Sequence, residues 1–235
     1  MIAVTFALPA ESADFVRLLQ ETNATARQDV RSIRGQIHGK SVAILHTGVG
    51  GKKCRMQIES FLRQQEFKYL ISAGFAGALD EQLQVGDLLL SENFSSPQLL
   101  GSAYLHLADD APFLGKLFTV SQVTDSRSER ARLAKETGAA AADMETKFIA
   151  AACAEHKLPM LSLRVISDTP SDPLPVPPEV LFDLEKQKTK FTRLAFYLVT
   201  HPGALGRLNK FRQQIGLVRH SLTNALEKIL RVDLI

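Results

Sequence analysis

Apolar residues along this chain fall in short runs that alternate with longer stretches of helical period. Ile2 to Leu8, Ser41 to His46, Tyr69 to Ala73, Asp87 to Leu90, Leu117 to Ser121 and Met160 to Ile166 are β-rich runs bounded by Gly, Pro, Ser or polar residues, the pattern of short strands. Between several of them, apolar positions recur every three or four residues. Phe15, Leu18 and Leu19 do so in Ala10 to Glu21, Met56, Ile58, Phe61 and Leu62 in Lys52 to Gln65, and Phe148, Ala151 and Ala152 in Asp143 to His156. That spacing puts one apolar stripe on each predicted helix. Strands alternating with helices imply an α/β fold with a largely parallel sheet covered on both faces. Gly86 to Ser96, arriving soon after the Tyr69 strand, adds an expectation of mixed pairing. No internal repeat or low-complexity segment is visible.

The C-terminal third has a different texture. Thr169 to Pro178 holds five prolines, which stiffen it into an extended loop directly after Asp168, set to form a rim or lid. Beyond it, Phe191 to Leu230 reads as helical, with Leu and Phe stripes broken at His201-Pro202-Gly203. The chain therefore divides into residues 1–182 and a helical extension, residues 183–235, packed on the first part or on a partner subunit. The net charge of +3 hides an asymmetry: from Lys186 onward ten Lys and Arg face only Glu227 and Asp233, so the preceding residues are net acidic. A basic amphipathic tail can also lie against an anionic membrane surface. Nucleic acid is not an expected partner, because no recognised binding motif accompanies the basicity.

Composition narrows the setting. With 235 residues, 45% of them hydrophobic, the chain can bury a substantial core. Cys54 and Cys153 are the only cysteines, which speaks against a disulfide scaffold and for a reducing compartment; no paired metal motif is present. The N-terminal apolar run lacks a basic leader and stops at Pro9, as a first strand does and a signal peptide does not. No run reaches the ~18 apolar residues of a membrane span. The expectation is a soluble, cytoplasmic protein, in contact with the inner face of the membrane if the basic tail docks there.

The chemistry-bearing residues cluster at predicted strand ends, where open α/β sheets hold their ligands. Thr47-Gly48-Val49-Gly50-Gly51-Lys52-Lys53 follows the second run: its glycines permit positive φ and leave N–H groups to face an anion at a helix start. A plain tight turn explains it equally well. Ser72-Ala73-Gly74-Phe75-Ala76-Gly77-Ala78-Leu79 reads as a second glycine turn, where small residues let a ligand approach and Phe75 offers a ring face; a strand-to-loop bend with Phe75 in the core is the simpler alternative. Glu11, just past Pro9, either serves the helix dipole or takes a proton from water. Asp143 suits a helix cap. Glu145 can accept hydrogen bonds from two vicinal hydroxyls, as a ribose diol requires, and Met144 can pack on a sugar ring. Asp168 closes an apolar strand beside Ser167; desolvated there, it would have its pKa raised and become a proton donor for a leaving group.

Five segments in order, Ala7-Leu8-Pro9-Ala10-Glu11, Thr47-Gly48-Val49-Gly50-Gly51, Ala73 to Leu79 with Val85-Gly86-Asp87, Asp143-Met144-Glu145 and Arg164-Val165-Ile166-Ser167-Asp168, resemble the nucleoside phosphorylase and nucleosidase superfamily. That superfamily includes methylthioadenosine/S-adenosylhomocysteine nucleosidase and futalosine hydrolase. The resemblance covers roughly residues 1 to 170. It implies a three-layer α/β/α sandwich around a mixed sheet that curls into a distorted barrel, assembly as a homo-oligomer, and cleavage of a nucleoside N-glycosidic bond. It also implies roles: Glu11 as the base for water and Asp168 as the acid for the purine, both catalytic; Glu145 and Met144 on the ribose; and Gly48, Gly50, Ala73, Gly74, Phe75 and Ser167 in the base or anion pocket. No cofactor or metal is implied. Inorganic phosphate is the co-substrate of the alternative reaction, phosphorolysis, which Lys52 and Lys53 keep open. Glu11, in a loop without arginine, favours water, because a carboxylate there repels phosphate. Phe75 departs from the small hydroxyl residue that such nucleosidases often carry, and no aromatic base-stacking motif appears around Val120 to Thr124. Leu198 to Leu205, with the proline loop before it, is similar to the hopanoid-associated branch, which implies adenosylhopane as substrate. A non-catalytic nucleoside-binding or membrane-surface module is the reading of a different class.

Overall fold

The computed structural model describes residues 1–27, 30–122, 124, 126–172, 182–183, 188–189 and 203–235. β1 (Ile2–Phe6) is buried along its whole length, and its side chains divide by parity, with Ile2, Val4 and Phe6 entering one core and Ala3 another. β4 (Lys40–His46) alternates likewise, sending Val42 and Ile44 to the first core and Ala43 and Leu45 to the second. Continuous apolar runs thus record strands covered on both faces. α1 (Pro9–Leu18), α3 (Pro97–His106) and the C-terminal helix α6 (Gly203–Arg231) cover the first face through Phe15, Leu99, Ala103, Val218, Leu222 and Leu226. α2 (Gly51–Leu62) and α5 (Thr146–Glu155) cover the second through Cys54, Ile58, Phe61, Ile149 and Ala152. This is the three-layer α/β/α arrangement that the resemblance implies.

The remaining strands are β2 (Gln20–Arg27), β3 (Val30–Ile37), β5 (Leu70–Ala78), β6 (Leu88–Ser91), β7 (Phe113–Gly115), β8 (Leu117–Thr119), β9 (Ala141–Asp143) and β10 (Met160–Asp168). The sheet runs β2-β3-β4-β1-β5-β10-β6-β7, and β8 and β9 branch from β5. β4, β1, β5 and β10 are mutually parallel, whereas β6 is antiparallel to β10, so the mixed pairing expected near Gly86 is present. The branch brings acidic residues to the sheet's mouth. The end of β5 pairs with β9, Gly77 opposite Ala142 and Ala78 opposite Ala141, which delivers Asp143, Met144 and Glu145 to the C-terminal ends of the parallel strands. A separate two-stranded pair, β11 (Phe182–Asp183) and β12 (Lys188–Thr189), lies off the sheet.

Several elements differ from the sequence reading. The predicted first helix stops at Leu18 and the chain turns at once into β2, part of a β2–β3 hairpin that the sequence reading leaves unassigned. Its strands, QETNATAR and VRSIRGQI, carry little apolar alternation. α3 and α4 (Arg127–Thr137) are likewise additional. Ala73 to Ala78 is not a turn: β5 continues through it, with Ala73 to Gly77 paired parallel to Leu163 to Asp168 of β10 across a bulge between Ile166 and Asp168. Neither glycine there holds positive φ, and Gly77 serves space rather than backbone curvature. The proline loop beyond Asp172 and the Leu198 to Pro202 part of the hopanoid-like run lie outside the described residues.

The basic tail meets the acidic body directly. α6 pairs Arg219 with Asp14, Lys228 with Asp110 and Lys210 with Asp172. Its apolar stripe from Val218 to Leu230 is buried in the first core, so that stripe is not available to a membrane. No described helix is long and apolar enough to cross a membrane.

Candidate active site

A cavity of about 230 Å³ opens at the strand ends, lined by Leu8, Glu11, Val49, Phe75, Gly77, Val120, Thr124, Arg130, Met144, Glu145, Ser167 and Asp168, among others. Glu11 stands in the first turn of α1 with both carboxyl oxygens engaged. Oε2 accepts the Leu8 N–H at 2.9 Å and Oε1 accepts the Phe75 N–H at 3.4 Å. The first is the backward reach of a capping box; the second ties the helix start to β5. A Cβ on Gly74 would come to 3.5 Å from Oε1, an ordinary van der Waals contact, so Gly74 lies directly against the carboxyl. Burial pushes the Glu11 carboxyl above its ordinary range, while the Leu8 N–H, the Arg164 charge and the Phe75 N–H pull the other way.

Glu145 sits immediately ahead of α5 rather than inside its first turn. Gly48 and Gly50 hold positive φ, 75° and 90°, so the turn after β4 needs glycine as the sequence suggests. The acceptor its Gly50 N–H meets belongs to the protein: Glu145 Oε1 takes that hydrogen bond at 2.9 Å. Burial, then the Asp143 charge, push the Glu145 carboxyl up to about 8, against the Gly50 N–H. Near neutral pH it is therefore largely a neutral acid, able both to donate and to accept.

Asp143 does the structural work expected of it and more. It accepts the Thr146 N–H at 3.1 Å and the Thr119 hydroxyl at 2.9 Å, and it is ion-paired with Arg164 at 3.0 Å. Arg164 also donates to the Ser72 carbonyl at 2.7 Å and the Ser72 hydroxyl at 2.9 Å. This buried network anchors β10, β5 and the approach to α5 beneath the cavity. Asp168 is not a lone desolvated acid. Its Oδ1 accepts the Ser167 hydroxyl at 2.6 Å, and its Oδ2 is ion-paired with the buried guanidinium of Arg130.

Glu11, Phe75, Met144, Glu145, Ser167 and Asp168 are thus brought around one cavity, with Gly50 and Gly74 behind the two glutamates. Ala73 is not: it lies further back along β5 than Phe75, buried in the first core short of the cavity. Gly48 shapes the turn and donates to the Ala7 carbonyl at 3.0 Å. Arg130 and Arg164, ion-paired with Asp168 and Asp143 beside the cavity, are the neighbours to which sequence reasoning gave no role. A lone arginine in the apolar run Leu161 to Ile166 is a signal for Arg164, since a buried charge demands a partner; Arg130, in a helix rich in charge, has none. Among the described residues no three His, Cys, Asp or Glu side chains gather to hold a metal.

Known proteins share this architecture. A methylthioadenosine/S-adenosylhomocysteine nucleosidase from Colwellia psychrerythraea, solved with adenine, superposes with a TM-score of 0.75 at 17% identity, covering 97% of this chain and 93% of that one. Futalosine hydrolase from Helicobacter pylori gives 0.73 at 16% identity, over 97% and 96%. Among curated sequences, a methylthioadenosine/S-adenosylhomocysteine nucleosidase from Staphylococcus haemolyticus is 24% identical over 196 residues, 72% of this chain and 86% of that protein. A DeoD-type purine nucleoside phosphorylase from Bacillus subtilis is 24% identical over 193 residues, 71% and 82%. The family model described as the Phosphorylase superfamily matches residues 1–113 and 109–200, and with the fold and the strand-end cavity in agreement the chain belongs to that superfamily.

Proposed function

We propose that the protein hydrolyses the N-glycosidic bond of a purine nucleoside, releasing the base. The observation that carries this reading is the pair of buried carboxyls, Glu11 and Glu145, in a cavity whose only described basic residue, Arg130, is already paired with Asp168. A phosphate co-substrate would meet the ionised Glu11 that the reaction requires, with no free cation among the described lining residues to offset it; water meets a base. Glu11 lies beside Gly74 and Asp168 beside Gly77, three residues along one strand, about 10 Å apart on the backbone. Both carboxyls line the same cavity, the base that activates water and the group that receives the purine.

In this reading Glu145, as neutral acid, both accepts from and donates to the two ribose hydroxyls, and Met144 packs on the sugar. Glu11 takes the proton of the attacking water. Asp168, steadied by Ser167 and Arg130, protonates or hydrogen-bonds the departing base. Relatives named as adenine-nucleoside hydrolases support adenine as the base. The substituent at the 5′ position is the open variable, and an apolar one such as that of adenosylhopane belongs among the candidates because of the hopanoid-like run.

The test is base release from methylthioadenosine, S-adenosylhomocysteine, adenosine, inosine and a lipid-linked adenosine in phosphate-free buffer. Adenine release from at least one, lost in both Glu11→Gln and Asp168→Asn, supports the reading. Tight nucleoside binding without any release would support a binding module instead.

A further inference from the structure

Arg130 is the one buried residue of α4, a helix whose other side chains are exposed or partly so. It is 1% exposed. An apolar side chain would anchor such a helix at lower cost, since a buried charge must be repaid in partners. Arg130 has them on all three guanidinium nitrogens. Nε donates to the Thr124 carbonyl at 3.0 Å, Nη1 to the Ala78 carbonyl at 3.0 Å and the Asp168 carbonyl at 3.5 Å, and Nη2 pairs with Asp168 Oδ2. The guanidinium therefore grips Asp168 by main chain and side chain together, and joins it to the end of β5 and to the loop after β8.

Space for this pair is reserved. A Cβ on Gly77 would come to 3.0 Å from Asp168 Oδ2 and 3.3 Å from Arg130 Nη1, so glycine at that position lets the pair close over β5. With Oδ2 held by Arg130 and Oδ1 receiving the Ser167 hydroxyl, the rotamer of Asp168 is fixed from both sides while Asp168, Ser167 and Arg130 all border the cavity. From this geometry we infer that Arg130 is a positioning residue for the reaction: it aims the Asp168 carboxyl at the departing base and balances the charge Asp168 carries as the base leaves. The inference rests on the proposed hydrolysis.

A double-mutant cycle separates positioning from mere anchoring. Arg130→Met, Asp168→Asn and the double variant are assayed for base release per folded protein, with Arg130→Lys as a conservative variant that keeps the charge. Arg130→Met is expected to lower kcat by about 100-fold with little change in KM, in line with the loss of one preorganised charge partner. Arg130→Lys should recover part of that loss, and the double variant should be no slower than Asp168→Asn alone. Adenine binding by calorimetry follows the same four proteins independently of turnover. If the wild type releases no base, hydrolysis fails; a loss of adenine affinity on Arg130→Met that vanishes in the Asp168→Asn background would still support the positioning role. Unchanged kcat and affinity in folded Arg130→Met, or losses that multiply in the double variant, would overturn it.

Discussion

The main-chain N–H of Gly50 and the carboxyl of Glu145 meet at 2.9 Å, joining the turn ahead of α2 to the residue ahead of α5. Gly50 holds φ of 90°, and a Cβ there would touch nothing within 4 Å. Gly50→Ala should therefore cost about 1–2 kcal/mol through backbone strain alone. Because the turn relaxes away from Glu145, ligand affinity should fall as well. Thermal unfolding and nucleoside binding measured together check this; a stable variant with unchanged binding would show that the contact does not orient Glu145.

Glu145 itself sets activity against stability. The folded protein keeps its proton up to about pH 8, whereas the unfolded chain releases it near 4.5, so the native state binds more protons in that window and loses stability as pH rises through it. Glu145→Gln removes this loss. Unfolding at pH 5 and pH 8 should show the variant gaining on the wild type by about 1–3 kcal/mol at the higher pH, while kcat/KM falls about 100-fold. Equal stability differences at the two pH values would contradict the assignment.

Glu11 must be ionised to take a proton from water. Since burial raises its pKa and Arg164 opposes the rise, the acid limb of kcat/KM should stand above the ordinary carboxylate range, activity growing as pH rises through it. A profile flat from pH 4 to 7 would remove Glu11 from the base role.

Arg164→Met leaves Asp143 buried without its cation. Loss of one partner of a buried pair costs about 3–5 kcal/mol, to be read by denaturant unfolding; a cost below about 1 kcal/mol would mean the network contributes little.

The cavity-lining acids are legible in sequence because small and acidic residues interrupt apolar runs there. Glu11, Glu145 and Asp168 each stand at such a break, and each lines the cavity. What sequence does not disclose is how they are held. The strand of β5 reads as ending at Ala73 because Gly74 and Gly77 look like turn residues, yet they are strand positions, Gly74 against Glu11 and Gly77 making room for Asp168 with Arg130. α4 escapes a periodicity reading because it lacks an apolar stripe, although two local marks are present: Ser126 accepts the Glu129 N–H at 3.2 Å as a cap, and Gly138 ends the helix at φ 65°. The β2–β3 hairpin, mostly polar, has no period to read. Pairings distant in sequence, Arg130 to Asp168 and Gly50 to Glu145, are set by the topology.

The choice of water over phosphate is tested most directly by the sugar product. A purine nucleoside that the protein cleaves is incubated with it in phosphate buffer and the products are followed by 31P and 1H NMR. Free sugar with the base, at a rate independent of phosphate, is the expected result; a sugar 1-phosphate, formed at a rate that rises with phosphate concentration, would contradict it.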